Sequence, residues 1–190
     1  LIGSLPLDDH SEATRLIFKE VPEIPLWVQL PRFSQEGMMT QFLPGFPEFT
    51  EVDGKVYIDT DAADFETEVM SFYEEYLAVI GNPAGLPDSR FSLDQHVAAG
   101  FFEFLEQASA HQEGLYATKG QITGPFTFAT GVDAAGRALF YDNQLRDIAV
   151  KLIAMKARWQ ARLLGKLGKP VILFFDEPGL TAFGSSAFIS

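Results

Sequence analysis

Asp176 and Glu177 are adjacent carboxylates that directly follow the apolar run Val171-Ile172-Leu173-Phe174-Phe175. An acidic pair at the end of such a run can hold a substrate amine, support a metal, or move a proton. The same pair can instead cap the following segment and form a surface ion pair. Three further clusters of polar or turn-forming residues follow apolar runs. Gly3-Ser4 combines close backbone approach with a hydroxyl donor, or is a tight turn before Pro6. Gln29 to Arg32 follows Leu26-Trp27-Val28, and Arg32 is the one cation in these clusters. Thr123-Gly124-Pro125 follows Ile122 and reads as a turn with a hydroxyl at its start.

His10, His96 and His111 are far apart in sequence, without metal-ligand spacing, and are expected to face solvent. No Ser-His-Asp order, phosphate-binding P-loop or GxGxxG signature occurs. The aromatics Phe42, Phe46 and Phe49 suit a lid or a small satellite core.

These residues need elements to position them. Asp8 or Asp9 caps a helix over His10–Glu20. Phe65, Val69, Phe72, Tyr76 and Ile80 share one face of a helix from 64 to 80, and a third helix is expected from 93 to 110. The longest is expected from 143 to 167, with Leu145, Ile148, Leu152, Ile153, Trp159 and Leu163 as its stripe. Strands are expected at the first residues, at Leu26–Leu30, at Gly120–Thr123 and at Val171–Phe175. Phe49 to Asp59 alternates around Asp53-Gly54, the signature of a hairpin, and makes residues 32–63 an insertion. Strands alternating with helices predict an α/β fold with a parallel sheet, and four such units predict half of a (β/α)8 barrel; a flavodoxin-like layer is the alternative. The carboxyl ends of the strands then form the site. In that frame Leu173 and Phe175 point into the barrel.

The 190 residues carry a formal net charge of -12, which disfavours nucleic acid and anionic membrane surfaces as partners. Cysteine is absent, in keeping with a reducing cytoplasm. Both ends read as cut or processed, and the chain is expected to pair with a missing C-terminal half or to self-associate, because open strands would leave unpaired edges.

The same clusters resemble a known set. Ile2-Gly3-Ser4-Leu5-Pro6 is similar to the opening of the catalytic barrel of cobalamin-independent methionine synthases, and Leu173-Phe174-Phe175-Asp176-Glu177-Pro178-Gly179-Leu180 to their strand ending in Asp-Glu-Pro. Thr123-Gly124-Pro125-Phe126-Thr127 resembles a segment of the uroporphyrinogen decarboxylase-like methyltransferases. The resemblance implies a TIM barrel of this group, a single domain over residues 1–190, and methyl transfer to a thiol such as homocysteine. It implies that Ile2, Gly3, Ser4 and Asp176 bind the substrate, with Gln29, Arg32, Thr123 and Glu177 lining the cleft. Partners would be the small thiol and a methyl donor. Zinc is implied for the full-length protein, with ligands beyond the Asp-Glu-Pro strand and none assignable within residues 1–190. Gly131 and Ala182 stand where the family has a tryptophan near folate and an acidic residue. A decarboxylase-like or corrinoid-protein methyltransferase barrel and a non-catalytic binding barrel are the alternatives.

Overall fold

The computed structural model describes residues 3–52, 55–182 and 184. Helix α1 (His10–Glu20) starts where the Asp9 carboxylate accepts the Glu12 amide at 2.8 Å, and buries Ala13 and Ile17. Next comes the hairpin of β1 (Phe49–Val52) and β2 (Lys55–Ile58), antiparallel with Phe49 opposite Ile58 and Val52 opposite Lys55. Its expected turn, Asp53-Gly54, lies outside the described residues. Helices α2 (Phe65–Gly81) and α3 (Ala99–Ala110) follow, then β3 (Thr118–Thr123), α4 (Pro125–Gly131), the two-residue strands β4 (Asp133–Ala134) and β5 (Arg137–Ala138), α5 (Asn143–Gly165) and β6 (Val171–Asp176).

The half-barrel expectation is overturned. The strands form a four-stranded mixed sheet, ordered β1-β2-β4-β5, and a two-stranded parallel sheet of β3 and β6, with no eight-strand closure among the described residues. Proline limits strand pairing near the N-terminus. Pro25 and Pro31 flank Leu26–Leu30 and Pro6 follows the first expected strand, and none of the three can donate a backbone hydrogen bond. What remains is one parallel bridge from Ser4 to Gln29 and one from Leu26 to Lys119. The class is α/β, built on small sheets.

The hairpin is not a separate flap. β2 pairs in parallel with β4, and Ile58 is fully buried. Phe42 and Phe46 join the main core, so they form neither lid nor satellite, while Phe49 is partly exposed. The centre of that core is α5. The Asp142 carboxylate accepts the Gln144 and Leu145 amides at its start, and Leu145, Ile148, Leu152, Ile153, Trp159 and Leu164 recur at helical spacing, all buried. Each such side chain contributes roughly 1.5–3 kcal/mol of burial. Among the described residues no helix is long and apolar enough to cross a membrane.

Candidate functional site

β3 and β6 lie in full register, from Thr118 opposite Val171 to Thr123 opposite Asp176. One face of the pair lies against α5. A Cβ on Gly120 would come 2.8 Å from Gln160 Oε1 and 3.0 Å from Leu164 Cδ1 of that helix. Side chains alternate along a strand, so Lys119, Gln121 and Thr123 share the opposite face with Ile172, Phe174 and Asp176. This corrects the expectation for Leu173, which packs on the α5 side; Phe175 has the same parity. Phase is the error: counting from Asp176 rather than from the middle of the apolar run gives the right face.

The polar face is organised by a chain of amides. Gly3 N donates to Gln121 Oε1 at 3.2 Å, and Gln121 Nε2 donates back to Gly3 O at 3.1 Å. Gln121 Nε2 also reaches Gln29 Oε1 at 3.5 Å, Gln29 Nε2 donates to Gln41 Oε1 at 2.6 Å, and Gln41 Nε2 ends the chain on Val97 O. One side-chain orientation satisfies every link, so each amide fixes the next. Gly3, at φ +103°, takes a conformation that favours glycine. Thr123 is held separately, its hydroxyl donating to Met38 O at 2.6 Å.

Asp176 closes the row at the carboxyl end. Burial raises its carboxyl above the usual range, and the Lys119 ammonium on the same face opposes that rise. Lys119 is shifted the other way: burial lowers its ammonium and Asp176 opposes the fall. Its Nζ lies 4.0 Å from the centroid of the Phe174 ring. At the amino ends of the same strands a groove of about 660 Å³ is lined by Pro22, Ile24, Lys119, Ile172 and Phe174.

Glu177 points elsewhere. Its two carboxylate oxygens accept the Phe126 and Thr127 amides at 3.0 and 2.7 Å and cap α4 from a distant part of the chain. Gly124 N donates to Asp176 O at 2.8 Å, and Gly179 N donates to Thr127 Oγ1 at 3.0 Å. A Cβ on Gly124 would fall 2.1 Å from the Glu177 carboxyl carbon, so any other residue there would displace the Glu177 cap. The Thr-Gly-Pro and Asp-Glu-Pro motifs are thus two halves of one structural lock. Arg32 is also apart from the row: it pairs with Asp8 at 2.8 Å, both side chains being exposed. Ser4 is exposed and bridges to Gln29. Ile2 lies outside the described residues.

Gln121, Gln41 and Lys119 belong to the site but were not singled out from the sequence, although the polar alternation Lys119, Gln121, Thr123 was there to read. Glu36 was missed too. It is 1% exposed, and its carboxylate accepts the Leu30 amide at 2.8 Å and meets His10 Nε2 at 2.5 Å. His10 is therefore partly buried and stacked on Phe33, contrary to expectation, whereas His96 and His111 are exposed. Among the described residues no group of three His, Cys, Asp or Glu side chains could hold a metal ion. The zinc that the resemblance implies has its expected ligands outside residues 1–190. A second cavity of about 730 Å³, between α1 and the end of α3, is lined by Arg15, Phe18, Gln107 and His111 and contains none of the strand-end residues.

No protein-family model matches this chain, and no match is found among curated proteins or solved structures.

Proposed function

We propose that the chain binds a small amino-acid thiol such as homocysteine at the carboxyl ends of β3 and β6, in the service of methyl transfer to its sulfur. One observation carries this reading: the Gly3 peptide, Gln121, Thr123 and Asp176 are gathered along one polar sheet face. Asp176, at the open end of the row, would orient the ligand ammonium. The Gly3-Ser4 segment, held by Gln121, would meet the ligand carboxylate, as the motif resemblance suggests. In the reaction the thiolate sulfur forms the new bond to carbon while the donor's bond to that methyl group breaks. A cytoplasmic setting goes with the reading, supported by the absence of cysteine.

The second reading is a binding protein without catalysis. It is favoured by the engagement of both Glu177 oxygens in capping α4, which leaves that carboxylate no part in catalysis. A decarboxylase-like reading needs arginines for several carboxylates, and the exposed Arg32–Asp8 pair gives it little support.

Calorimetric titration with L-homocysteine and L-methionine tests the proposal. Asp176→Asn should weaken binding about tenfold, the loss of one charge-assisted contact. The analogue without the amine should bind both proteins equally. Equal affinity of the two proteins for L-homocysteine, or no binding at millimolar ligand, would sink the reading.

A further inference from the structure

The geometry points to β6 as a homodimer interface, on which a second copy of this chain pairs antiparallel, edge to edge, about a twofold axis through Leu173. This stands apart from the ligand reading above. β3 occupies one edge of β6, and among the described residues no strand pairs with the other. Two bonds fix which backbone groups face outward. Pro170 O and Asp176 O both accept amides of the β3 side, from Thr118 and Gly124. Orientation alternates along a strand, so Ile172 and Phe174 also face β3, and Val171, Leu173 and Phe175 turn their peptide groups to the open edge.

Antiparallel pairing through those outward groups sets odd residues opposite odd residues. The register that overlaps the whole strand places Leu173 on its own copy. It then sets Val171 against Phe175, Ile172 against Phe174, and Lys169 against Glu177. Each aromatic meets a β-branched residue, the favourable kind of cross-strand pair, and the flanking charges are opposite in sign. The strand is thus complementary to itself: β-branched and basic at its start, aromatic and acidic at its end. That self-complementarity is why the occupant is a second copy rather than an unrelated strand, and an isologous twofold contact is its natural form. Exposure agrees. Phe174 and Phe175 are 38% and 48% exposed, although both lie in a regular strand. Nothing within Val171–Phe175 carries the charge or proline that protects an open edge.

Sedimentation equilibrium of the chain across micromolar concentrations is the test. The expected result is a reversible species of twice the 21.0 kDa chain mass. Lys169→Glu, which sets like charges against Glu177 twice over, should raise the dissociation constant about tenfold. Phe175→Lys should abolish the dimer. The chain has no cysteine, so Ile172→Cys combined with Phe174→Cys should cross-link two copies on oxidation, a readout independent of how Phe175→Lys folds. A monomer at all concentrations overturns the inference. So does a dimer indifferent to Lys169→Glu, or one that the cysteine pair fails to cross-link.

Discussion

β3 and β6 are neighbours of equal length, and their burial is the reverse of their polarity. Every residue of β3 is buried although it carries Thr118, Lys119, Gln121 and Thr123, whereas β6, apolar from Val171 to Phe175, is partly or largely exposed throughout. Burying polar groups costs free energy unless each finds a partner, and exposing apolar ones forgoes burial. Neither strand is therefore explained by local stability. The contrast teaches that β3 is polar for what it positions, through the Gly3-Gln121-Gln29-Gln41 chain, and that β6 keeps apolar surface open to the strand pairing proposed above.

The most extreme polar burial lies on α5, one turn before the Gln160 that meets Gly120. Lys156 is fully buried, its Nζ donates to Ser92 O at 3.3 Å, and burial pushes its ammonium down to about 7, with Asp94 opposing the fall. The unfolded chain keeps the ordinary value of 10.5. Between those limits the unfolded state binds more protons than the folded one, so stability rises with pH across that window. Below about pH 7 the full penalty of the buried charge is present. The expected rise from pH 7 to 10.5 is on the order of 4 kcal/mol. Lys156→Met should remove that slope and be the more stable protein at neutral pH. Urea unfolding across the pH range checks both; a flat wild-type profile would break the view that buried polar groups in this layer carry a cost.

A smaller effect separates the two strands directly. Gln121→Leu keeps the volume and leaves the partly buried Gly3 amide and Gln29 Oε1 without their partner, a loss of about 1 kcal/mol or more. Phe175→Thr, at an exposed position of the neighbouring strand, should change the dilute chain by no more than about 0.5 kcal/mol. Comparable losses from the two substitutions in urea unfolding would erase the distinction.

Much of this was legible where the cause is local. α1 has the expected bounds because its cap and apolar spacing both lie within the segment, and the β1–β2 pairing follows from alternation. α3 starts later than its pattern suggests, because the Asp94 carboxylate accepts the His96 and Val97 amides and holds the preceding residues in a turn. α4 is not expected from the sequence, where only Thr123-Gly124-Pro125 reads as a turn, since its cap, Glu177, arrives from the far side of the chain. The same holds for the site. Asp176 and Thr123 were marked by their own strand ends, but the amide chain joins glutamines brought together only by tertiary packing. Glu177 and Arg32 looked alike as polar strand-end residues, and only their partners distinguish a helix cap and a surface pair from a ligand contact.

The smallest expected effect concerns the electrostatics of the row. Lys119 and Asp176 stand near opposite ends of one face, and each holds the other's charged form against the cost of burial. Lys119→Met removes the cation, leaving burial unopposed at Asp176, so the Asp176 carboxyl should titrate at higher pH in the variant than in the wild type. In the folded state that carboxyl already binds its proton more tightly than in the unfolded chain, so its contribution to stability falls as pH rises through the folded midpoint. The variant should extend that fall to higher pH. At neutral pH the Lys119 change also relieves a buried ammonium, which acts in the opposite direction on total stability. Total stability therefore cannot decide the point. A carboxyl carbon NMR titration of Asp176 can, because it reads one group. An unchanged midpoint would mean that the ammonium and the carboxylate do not share a field, and that the polar side of β3 is a set of separate contacts rather than one surface prepared for a charged ligand.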